Sequence, residues 1–136
     1  IKQYIPKDKV IWEAFYGDGE SGKHLENLGL NVIHKEIDFF DSDEGEIIVS
    51  NPPFSDKNKT MKRLKELDKP FIIILPQPAI NTKSMRELFN DELQIIIPRK
   101  RIQFIKNGNE IQNKCNFDCF YYCYKMNLPR DIIFLE

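Results

Sequence analysis

The run Asn51-Pro52-Pro53-Phe54 sits directly after the apolar stretch Ile47-Ile48-Val49-Ser50, which places a rigid polar tetrapeptide at the end of an expected strand. Two successive prolines fix φ and remove two backbone donors, so the nearby carbonyls stay out of any continuing ladder and can accept hydrogen bonds from a ligand. Asn51 adds a side-chain amide oxygen beside them, and Phe54 offers a flat apolar face on which an aromatic base can stack. Acceptors next to a stacking platform suit a planar ring that bears an exocyclic NH2. A plain turn gains little from an Asn and two prolines at a buried strand end.

A second group of candidate residues, Glu13-Ala14-Phe15-Tyr16-Gly17-Asp18-Gly19, closes an apolar strand predicted over 10–15. Glycine is required where a ligand approaches the backbone closely. Alone, a Gly-x-Gly after a strand is a tight turn. Paired with Asn51-Pro52-Pro53-Phe54 at the end of a later parallel strand, it marks the carboxyl edge at which α/β sheets bind ligands. The overlapping run Gly17-Asp18-Gly19-Glu20-Ser21-Gly22-Lys23 imitates a phosphate-binding loop. His24, however, stands where such a loop needs Ser or Thr to hold magnesium, and Asp18 and Glu20 would face the phosphates. Cys115, Cys119 and Cys123 recur at even spacing in an aromatic segment, with His24 and His34 remote in sequence. Along one strand such cysteines splay too far apart to share a metal, so buried reduced thiols are expected and no metal site.

These loops need a sheet to hold them. Strands are predicted over 10–15, 31–35, 46–50, 71–75 and 93–97. Helices are predicted over 21–28, capped by Ser21 and stopped at Gly29, from 55 or 56 to 68 with Met61, Leu64 and Leu67 on one face, and over 82–90 with Met85, Leu88 and Phe89 together. The near-continuous apolar character of 46–50 and 71–75 suits parallel strands covered on both faces. Alternation of strands and helices with short links predicts an α/β fold with a mostly parallel, doubly wound sheet. Beyond Arg101 the pattern changes to a strand over 101–105, an Asn/Gly turn over 107–109 and an aromatic strand over 117–125, which predicts antiparallel pairing at one C-terminal edge. An extended tail over 128–136 follows.

At 136 residues the chain is expected to form a single domain over 1–136 with no separate target-recognition domain. Residue 1 is Ile rather than Met, and natural residues are expected upstream. A net charge of −1 provides no global attraction to polyanions, but the basic residues are clustered. Lys57, Lys59, Lys62, Arg63 and Lys65 follow Asn51-Pro52-Pro53-Phe54, while Arg99, Lys100, Arg101 and Lys106 form a second group. Such clusters are commonly solvated faces, but the first lies beside the candidate cradle and is read as a substrate-binding patch. No run has membrane-spanning or signal-peptide character, so an intracellular protein is expected.

From about Trp12 to Tyr124 the chain resembles the S-adenosylmethionine-dependent amino methyltransferases, in particular the N6-adenine DNA methyltransferases of viral, phage and bacterial type. Glu13-x-Phe15-x-Gly17-x-Gly19 resembles that family's cofactor loop, with Ala14 where proline is frequent. Asp38-Phe39-Phe40 resembles the Asp-Phe element that contacts the cofactor adenine, and Asn51-Pro52-Pro53-Phe54 matches the catalytic (Asp/Asn)-Pro-Pro-(Tyr/Phe) signature. The family's element near the methionine tail, often with a Phe and a Thr-Pro, does not appear ahead of these motifs.

The resemblance implies a Rossmann-like class I methyltransferase fold with S-adenosylmethionine held by Glu13, Phe15, Gly17, Gly19, Asp38 and Phe39, and with Glu36 or Asp38 on the ribose hydroxyls. It implies methylation of the exocyclic N6 amine of adenine in DNA by Asn51, Pro52, Pro53 and Phe54, with Lys57, Lys59, Lys62 and Arg63 on the polyanion. A homodimer or a partner subunit would then supply target recognition, and the setting would be the cytoplasm, the nucleoid or a viral replication compartment. The same signature also occurs in enzymes that methylate RNA bases or protein glutamine amides. An inactive cofactor-binding scaffold subunit is the alternative from a different functional class.

Overall fold

The apolar runs become the strands of one mixed sheet. A computed structural model of the chain describes residues 2–15, 20–35, 38–52, 57–99, 105–106, 109–110 and 119–135. Its strands are β1 (Val10–Trp12), β2 (Asn31–Ile33), β3 (Ile47–Ser50), β4 (Phe71–Pro76), β5 (Leu93–Ile97), β6 (Ile105–Lys106), β7 (Asn109–Glu110), β8 (Cys119–Tyr124) and β9 (Ile132–Phe134). The α-helices are α1 (Glu20–Asn27), α2 (Lys57–Leu67) and α3 (Lys83–Leu88). Seven strands form a sheet in the order β2-β1-β3-β4-β8-β5-β9, and β6 pairs with β7 as a separate hairpin. β2, β1, β3 and β4 run parallel, β8 lies antiparallel between β4 and β5, and β9 is parallel to β5. The fold is therefore α/β with a mostly parallel mixed sheet.

Period-two alternation sorts the strand residues onto two covered faces. Phe71, Ile73 and Leu75 of β4 join Met61 and Leu64 of α2 and Met85 of α3 in one cluster. Ile72, between them in sequence, joins Ile11, Val49, Ile96 and Leu25 of α1 on the other face. Each large side chain buried this way contributes about 1.5–3 kcal/mol, which fastens helices to both faces of the hydrogen-bonded parallel strands.

The antiparallel strand lies inside the sheet, which corrects its expected position at the edge. Tyr122 and Tyr124 of β8 belong to one core cluster and Cys123 to the other, so this strand is apolar on both faces and would expose much of its surface at an edge. The edge position goes to β9, part of the extended tail, where Ile132 and Phe134 are exposed. α1 begins at Glu20, one residue ahead of Ser21, so Ser21 lies within the helical span. Gly29, at φ +87°, takes the left-handed conformation that ends this segment, as its position predicted. α2 ends at Leu67, with Asp68 at φ +53° donating its N–H to the Leu64 carbonyl. α3 is capped by Thr82, whose Oγ1 accepts the Met85 N–H. Cys119 and Cys123 are buried, and burial pushes the Cys123 thiol up to about 12, far from thiolate chemistry at neutral pH. The expected helix start at 55 or 56, strand residues 101–104, turn residues 107–108 and Cys115 lie outside the described residues. Among the described residues, no helix is long and apolar enough to cross a membrane.

β8 also pins both ends of β4. At one end the Tyr122 hydroxyl donates toward the carbonyls of Pro76 at 2.9 Å and Gln77 at 3.2 Å. Burial raises the Tyr122 phenol, which keeps it neutral and able to donate. At the other end the Tyr124 hydroxyl donates to Asp68 Oδ1 at 2.6 Å, and Lys125 Nζ meets Asp68 Oδ2 at 2.9 Å.

Tyr122→Phe is expected to lower the unfolding free energy by about 1 kcal/mol, because it strips a donor from part-buried carbonyls; urea unfolding with an unchanged m-value checks this. The Asp68 cluster also predicts a pH dependence. The Tyr124 hydroxyl first, then Lys125, hold the Asp68 carboxyl below its usual range, so its contribution is present above that range and is lost as pH falls through it. Tyr124 is raised, chiefly by Asp68, so its contribution is present below the ordinary phenol range and is lost as pH rises. Melting temperature should therefore plateau between these limits, with a shallower acid decline in Asp68→Asn, a residue that tolerates the left-handed φ.

Candidate active site

Parallel strands end on a common edge, so the residues following β1, β2, β3 and β4 converge there. The β1 and β3 ends are joined by a buried polar network. Glu13, just after β1, is 1% exposed, and Ser50, the last residue of β3, is 4% exposed. Ser50 Oγ donates to Glu13 Oε1. The Phe15 N–H approaches both groups, at 3.2 Å from Glu13 Oε1 and 3.3 Å from Ser50 Oγ. A carboxylate withdrawn from water requires donors of this kind, so the segment 13–15 is clamped to the end of β3. The Glu13 N–H adds a bond to the Ile33 carbonyl at 3.0 Å, which ties the same segment to the end of β2.

Past β2, Asp38 opens a 3-10 turn over Phe39–Asp41, and its Oδ1 accepts the Phe40 N–H at 2.8 Å. The two rings of this turn meet edge-on, with centroids 5.2 Å apart, yet differ in burial. Phe39 goes inward, 3% exposed, with its ring 4.8 Å from Phe15 and 5.5 Å from Trp12. Phe40 stays half-buried with Lys59 Nζ 4.2 Å from its ring centre, a cation–π contact. Of the two phenylalanines expected to divide between the core and a ligand ring, Phe39 is the buried core side chain and Phe40 the more accessible one.

Asn51 follows Ser50 at the same edge and is exposed, while Pro52 is buried. Beyond them, α2 carries the basic patch, whose members do different things. Lys62 is exposed and Lys57 half-buried. Arg63 turns toward the 38–42 loop, where Nη2 donates to the Ser42 carbonyl at 2.8 Å and Nε to the Phe39 carbonyl at 3.4 Å. Lys65 lies at 2.8 Å from Glu92 Oε1, and this bond is the main cause that raises its pKa. The patch expected to face a polyanion is thus divided. Lys59 and Lys62 are on the surface, whereas Arg63 fastens the Asp38 turn to the helix that follows Asn51.

Chain order thus sets Glu13 and Phe15 after β1, Asp38 after β2, and Asn51 and Pro52 after β3, at one edge of the sheet, and the Phe15–Ser50 hydrogen bond links the first and third of these segments. The positions Gly17, Gly19, Glu36, Pro53 and Phe54 lie outside the described residues. Sequence reasoning missed Ser50, although a hydroxyl that ends the run Ile47-Ile48-Val49 was the available signal. It also grouped Arg63 with the lysines, where the planar guanidinium fork is the distinguishing property. Among the described residues no group of three His, Cys, Asp or Glu side chains could hold a metal ion.

Arg63→Ala should cost about 1–2 kcal/mol through the two loop carbonyls it leaves unpaired, and Arg63→Lys should recover little, since an ammonium cannot reproduce the fork. Urea unfolding followed by the fluorescence of Trp12, the single tryptophan, measures both, because its ring packs against Phe39 of that loop. No protein-family model matches the chain, and no curated protein matches it.

Proposed function

We propose that this chain transfers a methyl group from S-adenosylmethionine to the exocyclic N6 amine of adenine in DNA, on a Rossmann-like class I methyltransferase fold. The observation that carries the reading is the convergence of Glu13 and Phe15, of Asp38 and Phe40, and of Asn51 and Pro52 on the carboxyl edge of one parallel sheet. Helices on both faces of the parallel strands support the same fold assignment.

The donor set at this edge suits the cofactor. Asp38 is exposed with one carboxylate oxygen on the Phe40 N–H, and a carboxylate retains acceptor capacity for ribose hydroxyls. Phe40 offers a half-exposed ring for the adenine in place of the buried Phe39. The backbone of residues 13–15, held by Glu13 and Ser50, would border the rest of the molecule. When bound, S-adenosylmethionine supplies a methyl group activated by its sulfonium.

The chain must supply what the substrate lacks. An exocyclic amine conjugated to a purine has a delocalised lone pair and is a poor nucleophile. Asn51 Oδ1 and the Pro52 carbonyl would accept its two N–H hydrogens, favour tetrahedral nitrogen and aim the lone pair for in-line attack. Phe54 would stack on the base after it is flipped from a duplex or taken from a single strand. Lys57, Lys59 and Lys62 would attract the phosphate backbone, and base recognition would come from a second copy, a partner subunit or a further segment of the protein, unless sequence specificity is low.

Asn51→Ala is expected to lower turnover by ~100-fold or more while changing cofactor affinity by less than about threefold. Radiolabelled transfer to DNA, RNA and a protein extract, with digestion of the product to identify the modified base, is the measurement. Labelled N6-methyladenine from DNA supports the proposal. Label in RNA or in glutamine reassigns the substrate, and cofactor binding without transfer to any of the three favours a scaffold subunit.

A further inference from the structure

We infer that Ser50 is a positioning residue, whose hydroxyl holds Asn51 in register with the backbone of residues 13–15. The inference rests on the methyl-transfer reading of the same edge. One oxygen serves both loops: Ser50 Oγ donates to Glu13 Oε1 and accepts the Phe15 N–H at 3.3 Å. Asn51 is the next residue, so any shift of Ser50 carries the amine-binding amide with it. Ser50 is 4% exposed, which leaves little room for water to take over either hydrogen bond if the hydroxyl is removed.

Group transfer makes such a link consequential. In-line attack needs the amine and the donor carbon near 3–3.5 Å with aligned orbitals, and a misplacement of about 1 Å costs on the order of 100-fold in rate. The amine would be held by Asn51 after β3, and the donor would lie along the loop after β1. These are separate segments, adjacent through the pairing of β1 with β3. Backbone pairing sets the strands side by side, with Trp12 opposite Ile48, but that register lies short of the loops. The Ser50 hydroxyl extends it past the strand ends. Removing this hydroxyl still leaves the Phe15 N–H on Glu13 Oε1 at 3.2 Å. The 13–15 turn therefore keeps its own anchor, and the change falls on the relation between the loops.

Ser50→Val and Ser50→Thr separate this role from simple packing, because the two side chains share a shape and differ in the hydroxyl. Cofactor affinity by calorimetry, kcat on unmethylated DNA, melting temperature, and the NMR shift of the Asn51 side-chain amide on cofactor addition are measured for both and for wild type. The expected result for Ser50→Val is a kcat reduced by ~30-fold or more, cofactor Kd within about threefold of wild type, and no Asn51 response to cofactor. Ser50→Thr should restore kcat to within about threefold and restore the response. Equal kcat in the two variants overturns the inference, as does a loss of cofactor affinity in Ser50→Val as large as its loss of turnover. A wild type that binds no cofactor removes the methyl-transfer reading and this inference together. With a wild type that binds cofactor yet methylates none of the substrates offered, the Asn51 resonance decides: a response kept by threonine and lost by valine supports the coupling, and identical responses overturn it.

Discussion

β8 is the strand on which the continuity of the sheet depends. It hydrogen-bonds to β4 along one edge and to β5 along the other, in both cases antiparallel, and so joins the parallel group β2-β1-β3-β4 to the pair β5-β9. Without it the outer side of β4 would be an open row of N–H and C=O groups in the middle of the apolar core, a cost no side-chain packing offsets. β8 comes late in the chain and must close a long loop before it contributes, so the arrangement depends on contacts of high sequence separation. Tyr122 and Tyr124 add a side-chain bond at each end of β4, which sets the position of that strand lengthwise as well as sideways.

Covering both faces of such a sheet leaves its edges as the places where polar groups can act. At the carboxyl edge the chain buries Glu13 and Ser50, and the hydrogen bond between them, with the Phe15 N–H beside both, offsets part of the cost of withdrawing these polar groups from water. The same economy appears around Arg63, whose guanidinium replaces water on the carbonyls of Phe39 and Ser42 and binds the Asp38 turn to α2. Three loops that are distant in sequence are thereby referred to one frame. That frame is a prerequisite for chemistry that tolerates errors of only a fraction of an ångström.

The strands were legible in the sequence to within a few residues, and the reason is that a buried strand must be apolar whatever surrounds it. Residues 46–50 and 71–75 appear as β3 and β4 with small changes of boundary. Their ends were less legible: β1 stops at Trp12 and β2 at Ile33, and the residues just beyond find partners outside the ladder, Phe15 on Ser50 and His34 on Glu26 of α1. The place of the aromatic strand was misjudged because alternation within a strand says which faces are apolar, and only its neighbours say whether it is central. Phe39 and Phe40 could not be told apart at all. Both are phenylalanines in one short turn, and the choice between them was made by the space beside Trp12 and Phe15.

The types of group available are written into the order of residues: an Asn-Pro-Pro-Phe run after an apolar strand, an acidic residue at the close of an earlier one, an Asp-Phe-Phe segment and a basic helix. Those follow from local chemistry, since proline, glycine and the period of apolar residues act within a few positions of themselves. Tertiary structure alone decided which of these groups face one another. Ser50 touches Glu13 because β1 and β3 are neighbours, Arg63 is withdrawn from the basic face because the 38–42 loop offers it carbonyls, and β8 is interior because two strands needed it. Each outcome depends on a partner remote in sequence, and a chain read residue by residue contains the partners without saying which ones will meet.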